Sequence, residues 1–259
     1  MGYVAGHLAT SLRAAGWTVL GTGRRAREDV LAFDDPTVRT EIDRATHLLS
    51  SVPPADGSDP VLSKYGDALQ RFGGWKGYLS STGVYGDCDG AWVDETAPIG
   101  TGRRTARSQA DADWQAFGSF VFRLPGIYGP GRSPFARLRS GDVQRIDAPG
   151  QVFSRAHVDD IVSGIRLAMT REEPRTYNIC DDLPASAADV TAYAAGAAGL
   201  PLPPLIPLAE AELSPMARGF YSENRRVANG RAKRELGWRP RYLDYRFGLR
   251  AIWEEEQAT

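Results

Sequence analysis

The chain has 259 residues, 42% hydrophobic and 24% charged, which suits a folded globular protein and excludes a disordered tail. Thirty-one basic residues against thirty-two acidic leave a formal charge of -1, so no overall field recruits nucleic acid or an anionic membrane surface, and any anion binding must be local. Two cysteines in unrelated segments (Cys88, Cys180) and three scattered histidines (His7, His47, His157) offer neither a disulfide framework nor a metal-ligand spacing. With no apolar run near the roughly 20 residues that span a bilayer and no signal-peptide pattern, the expected place is the cytoplasm.

The opening stretch "GYVAGHLATSLRAAGWTVLGTGRR" predicts a helix over about residues 4 to 15, with Val4, Leu8 and Leu12 on one face and Gly16 at its end, then a strand from Trp17 to Gly21. The alternation repeats: "VLAF" as strand, "DDPTVRTEIDRA" as helix opened by Asp and Pro, "THLLSSV" as strand, "DPVLSKYGDALQRF" as helix. Next come "GYLSS" as strand, "RTARSQADADWQAF" as helix and "SFVFRLP" as strand. Strands alternating with helices over about 120 residues predict a parallel, doubly wound α/β sheet of the Rossmann type. After Pro125 the pattern turns Gly/Pro/Arg-rich. The expected organisation is a dinucleotide-binding domain over 1–169, with 126–155 contributing to the substrate cleft, and a small substrate lobe over 170–259.

A phosphate-binding turn needs glycines where the backbone approaches a pyrophosphate, then a helix N-terminus aimed at the anion. Gly2 and Ala5 fit the second and third positions of G-x-G-x-x-G/A. The first position, and the strand that should precede it, lie upstream of Met1, so the pattern predicts a start a few residues earlier. Where an NAD enzyme carries an acidic residue for the ribose hydroxyls, the sequence reads "GTGRR": Thr22 takes that position, and Arg24 and Arg25 follow where guanidinium groups hold a 2'-phosphate. NADP is therefore expected over NAD; the alternative is a pair of solvated surface arginines.

In order and spacing, "LSSTGVYGD", "FRLPGIYGPG", "HVDDI" and "RELGWRP" resemble the extended short-chain dehydrogenase/reductases, the epimerase/dehydratase family. "THLLSSVPP", "GVYGDCDGAWVDETAP" and "RRTAR" resemble an atypical, epimerase-like branch of it. The resemblance covers nearly the whole chain. It implies an NAD(P)-binding oxidoreductase or epimerase, and it implies cofactor contacts from Ser51 and Pro53 after one strand and from Leu124 and Pro125 after another. It places Ser81 where the family's serine or threonine hydrogen-bonds the reacting oxygen. The family's Tyr-x-x-x-Lys pair is missing. Aligned through "SQAD", Arg103 stands at the tyrosine position and Arg107 at the lysine position. Arginine holds its proton at any physiological pH and has no acceptor, so it binds anions but does not exchange protons. Arg103 then reads as a clamp for phosphate or carboxylate, and Arg107 as the ribose or phosphate contact; the bland reading is an exposed helix surface.

Tyr85 and Tyr128 are the other candidate proton donors, against a packing role for both. Asp159 and Asp160 are expected to cap or brace the helix that follows them. Arg132, Arg137, Arg139, Arg145 and Arg155 crowd the expected cleft and suit an anionic substrate or a solvated loop. Two functions stay open: an oxidoreductase or epimerase for an anionic, possibly nucleotide-linked small molecule, and a non-catalytic NADP-binding sensor or scaffold. A homodimer is expected from the resemblance; nucleic-acid, membrane and metal partners are not.

Overall fold

A computed structural model of the chain describes residues 1–102 and 105–258. Helix α1 (Tyr3–Ala14) buries Val4, Leu8, Ala9 and Leu12 on one stripe and stops at Gly16, whose φ of 85° only glycine adopts readily. Strands β1 (Gly21–Gly23) and β2 (Val30–Ala32) pair in parallel. The first strand thus comes later than the sequence predicts, and Trp17 and Leu20 are exposed instead. The three-residue β2 aligns with 21–23 alone, and an apolar stretch without a ladder partner is not a strand.

Helix α2 (Thr37–Arg44) leads to β3 (His47–Ser50), and α3 (Pro60–Arg71) to β4 (Trp75–Ser81). At α2 the expected Asp-Pro start stands just before the helix, with Asp35 accepting the Thr37 amide at 2.9 Å and Pro36 at the cap without a side-chain bond; a second Asp-Pro pair opens α3. Asp59 accepts the amides of Val61 and Leu62 at 2.8 and 3.0 Å, and Pro60 takes the first helical position, where its missing N–H costs nothing. A single 3-10 turn (Thr82–Tyr85) follows β4, then β5 (Trp92–Val93), α4 (Thr105–Ala116) and β6 (Phe120–Leu124). The remainder comprises β7 (Gly126–Tyr128), α5 (Phe135–Ser140), β8 (Arg145–Asp147), β9 (Arg155–His157), α6 (Val158–Ala168) and β10 (Thr176–Asn178). After these come α7 (Ala187–Ala198), β11 (Leu205–Pro207), α8 (Pro215–Phe220), β12 (Arg226–Val227), α9 (Gly230–Glu235) and α10 (Tyr245–Ala258).

The main sheet runs β10-β6-β4-β3, all parallel. One face packs on α1 and α6 through Leu8, Leu79, Phe122, Ile161 and Ile165. The other packs on α2, α3 and α4 through Ile42, Leu69, Tyr78, Trp114 and Val121. Helices on both faces make this the expected Rossmann-type, doubly wound architecture.

The domain boundary differs from expectation. β10 lies beyond residue 169 yet extends the main sheet, and Ala232, Leu236 and Trp238 join the core beside α1 and α6. Trp238 is fully buried and donates to the Asp160 carbonyl at 3.1 Å. The second cluster is built instead from α5, α7 and α10, with Tyr128 from β7. β7 and β9 join the two, with Ile127 and Ala156 on the main core and Tyr128 in the second cluster, while β12 pairs with β5 and buries Val227 beside Val84, Tyr85 and Val93; local sequence patterns do not record such returns.

Candidate functional site at the carboxyl edge of the sheet

In a parallel sheet the carboxyl ends of the strands share one edge, and ligands bind outside it. Register places the expected residues there. Ser50 pairs with Tyr78, and Ser81 with Leu124, so Ser51 and Pro53, Ser81, and Leu124 with Pro125 leave three neighbouring strands at one edge. Leu124 is itself buried in the core, which leaves its backbone to face a ligand.

Helix α1 arrives at the same edge. Its first residue donates from the Tyr3 hydroxyl to the Pro130 carbonyl at 2.8 Å, in the loop just after β7. Gly2 caps α1 without any side-chain bond, and no acidic residue occupies the first turn. A Cβ on Gly2 would meet nothing within 4 Å. An uncapped helix start with its amides unclaimed and open space before it fits a pyrophosphate. Ala5 is half-buried behind it. On the other side, the terminal amine of Met1 donates to the Thr22 carbonyl at 3.0 Å, which sets Gly2 next to β1. Arg24 and Arg25 leave the end of β1 exposed to solvent.

Ser81 ends β4 and caps the 3-10 turn, its hydroxyl accepting the Gly83 amide at 3.1 Å. The turn is held from below by a buried polar network. Asp111 on α4 takes two bonds from Arg123 on β6, at 3.1 and 2.8 Å, and one from Ser80 at 2.5 Å. Arg123 also donates to the Tyr85 hydroxyl at 3.0 Å, and Tyr85 donates to Asn178 on β10 at 2.7 Å. Every charge in the network has a partner, which is the condition for keeping it in a dry core.

That network disposes of one proposed proton donor. Burial first of all pushes the Tyr85 hydroxyl up to about 12, and its hydrogen bonds point into the core. Tyr128 is also buried, with its pKa raised by desolvation and by Asp181, Asp160 and Asp244. Both tyrosines serve packing.

Arg107 is half-buried on α4, close enough to Tyr78 for its charge to oppose the burial that pushes that hydroxyl to about 12. Arg103 lies outside the described residues. Of the two aspartates after His157, neither caps α6. The imidazole Nδ1 of His157 does so, accepting the Asp159 amide at 3.2 Å, while Asp160 accepts the amides of Arg241 and Tyr242 at 2.6 and 3.1 Å and braces the C-terminal stretch.

The five arginines do not converge. Arg139 pairs with Glu256 at 2.6 Å and lies over Trp253; Arg155 is turned inward to the carbonyls of Phe153 and Ala185, both at 2.8 Å. Arg132 lies over the Tyr3 ring at the start of α1. Charges spread along a loop chain need not share a face.

Sequence reasoning missed Glu223 and Arg225. The parallel pairing of β12 with β5 draws this stretch across the mouth of the site. Asn224 fastens it by donating to Asp87 at 2.7 Å and to the Gly150 carbonyl at 3.0 Å. Arg225 then donates to the Gly86 carbonyl at 2.6 Å. The available signal was the run "ENRR" shortly before "RELGWRP", but its partner strand lies about 130 residues earlier.

Comparison with known proteins follows the same lines. No family model matches the chain. A structure of a conserved protein of unknown function from Silicibacter pomeroyi is 46% identical, superposes with a TM-score of 0.90, and covers 98% of this chain and 96% of that one. A human epimerase family protein solved with NADPH is 16% identical with a TM-score of 0.77 (98% and 96% covered). MoeE5, solved with UDP-glucuronic acid and NAD, is 20% identical with a TM-score of 0.76 (100% and 97% covered). Among curated proteins, a Streptomyces protein named 3-diazoavenalumate denitrifying reductase is 31% identical over 140 residues, 50% of this chain and 45% of that protein. The chain therefore matches less than half the length of that relative. Among the described residues, no helix is long and apolar enough to cross a membrane.

Proposed function

We propose that this chain, which shares the fold of the extended short-chain dehydrogenase/reductases, is an NADP-preferring oxidoreductase for a small anionic molecule, working without the family's tyrosine and lysine. The observation that carries the reading is the open, uncapped start of α1 at the same sheet edge as Ser81. Bound there, the dinucleotide would supply a hydride at C4 of its nicotinamide. The free amides of α1 hold the pyrophosphate, Arg24 and Arg25 the 2'-phosphate, and Ser51, Pro53 and Pro125 wall the nicotinamide half. Ser81 orients the substrate's reacting group with the proton its hydroxyl still has to donate, and Arg107 adds positive charge near it.

Without a proton donor, this site suits acceptors that take a hydride and need no proton from the protein. The Streptomyces relative's name speaks of a diazo substrate and its reduction; hydride delivered to the carbon of an arenediazonium cation forms a C–H bond as the C–N bond breaks and N2 leaves, and the cation's charge balances the hydride with no proton required. UDP-sugars, as found with MoeE5, are the other anionic class; they give a hydride to the oxidised dinucleotide and release the hydroxyl proton to solvent. Its proposed location is the cytoplasm, and its proposed state a homodimer, as the resemblance implies.

The test uses NADPH deuterated at C4 with an arenediazonium carboxylate, reading deuterium in the product by mass spectrometry, and NADP+ with UDP-sugars, reading NADPH formation. Transfer to one class supports the proposal. NADPH binding with no transfer to any acceptor favours the second reading, a dinucleotide sensor, which the missing tyrosine supports.

A further inference from the structure

Gly83 sits at the centre of the turn after β4, and two polar groups face the space its missing side chain leaves. A Cβ built there would lie 3.3 Å from the Ser81 hydroxyl and 3.9 Å from Nη2 of Arg225. Arg225 is anchored by its other terminal nitrogen, which donates to the Gly86 carbonyl at 2.6 Å and to Glu223 at 3.2 Å. Nη2 makes no hydrogen bond to any described residue. Its side chain is 16% exposed, so a rigid, partly desolvated cationic fork is presented with two donors unused. Ser81 spends a lone pair on the Gly83 amide and keeps its proton.

We propose that Arg225 is a specificity residue: together with Ser81 it holds an oxyanion of the substrate, a carboxylate or a phosphate, in the notch over Gly83. The inference deepens the proposed function and rests on its placing the substrate beside Ser81. Glu223 sets the strength of the site by neutralising part of the guanidinium charge. Gly83 keeps the notch open, and because its φ is not positive an alanine there adds a methyl group without left-handed strain.

The experiment is calorimetric titration of the full chain, with and without NADP+, using 4-coumarate as the carboxylate probe and UDP as the phosphate probe. One probe saturates the protein, and which one it is identifies the source of the oxyanion. Arg225→Gln weakens that probe about tenfold, the order expected for a charge-assisted pair of bonds, while NADPH affinity is kept. Glu223→Gln tightens it, a change of sign that a purely structural role would not produce. Gly83→Ala abolishes it with an unchanged melting temperature. Equal affinity of the probe for Arg225→Gln and the unmutated chain overturns the inference, as does a chain that binds NADPH but neither probe. A chain that binds a probe through Arg225 but no NADPH overturns only the dinucleotide reading.

Discussion

Replacing Arg123 with methionine removes the cation at the centre of the network beneath the Ser81 turn. Arg123 and Asp111 are almost wholly inaccessible, at 3% and 0% side-chain exposure, with 2.8 Å between Nη2 and Oδ1. The methionine side chain would fill much the same volume but strand the Asp111 carboxylate with only the Ser80 and Gln115 donors at its side. Breaking a buried pair from one side costs about 3–5 kcal/mol. At about 2–4 °C per kcal/mol for a chain of this size, the melting temperature should fall by roughly 6–20 °C in scanning calorimetry. The double variant Asp111→Leu, Arg123→Met removes both charges and should recover most of that loss, leaving roughly 1–2 kcal/mol for the Ser80 hydroxyl deprived of its acceptor. A single variant that melts within about 1 °C of the unmutated chain, or a double variant no better than the single, would refute the view that this pair holds the turn.

Three further outcomes are expected. Gly86 has φ 68° and ψ -154°, a region open to glycine alone, and a Cβ there would lie 2.7 Å from the Gly102 amide; Gly86→Ala should cost about 1–3 kcal/mol in urea unfolding and loosen the site with it. Burial holds the His157 imidazole down at about 4, below its ordinary value, with the nearby Asp159 carboxylate opposing the shift. The unfolded chain therefore takes up the proton first, so this contribution to stability is complete above about pH 6.5 and lost as pH falls toward 4; His157→Asn, which keeps a capping acceptor, should flatten that part of the stability profile. Arg103→Ala should raise KM for a phosphorylated or carboxylated substrate and largely spare kcat, and an unchanged KM would make the residue mere surface.

What could be read ahead of the structure was whatever local periodicity and caps determine. The stripe of Val4, Leu8 and Leu12, the Asp59-Pro60 start of α3 and the strand ending in Ser81 all follow from neighbours within a few residues. Ser51, Pro53, Ser81 and Pro125 share one edge because register in a parallel sheet propagates from strand to strand. The exceptions are long-range. Asp111, at an interior position of α4, looks like a solvated helical aspartate until β6 brings Arg123 against it. Trp17 and Leu20 read as strand by propensity but have no ladder partner. β10 reads as part of a separate lobe because sheet order is not written in sequence order. Arg225 was hidden for the same reason, since its place beside Gly83 depends on β12 meeting β5.

The central claim, an open dinucleotide site with arginines for a 2'-phosphate, is tested most directly by titrating the chain with NADPH and NADH, following nicotinamide fluorescence. Saturable binding of both is expected, with NADPH the tighter by about tenfold or more, and loss of that preference in Arg24→Ala, Arg25→Ala as one or two charge-assisted bonds disappear. Equal affinity for the two in the unmutated chain would contradict the assignment of the arginines, and binding of neither would contradict the account itself.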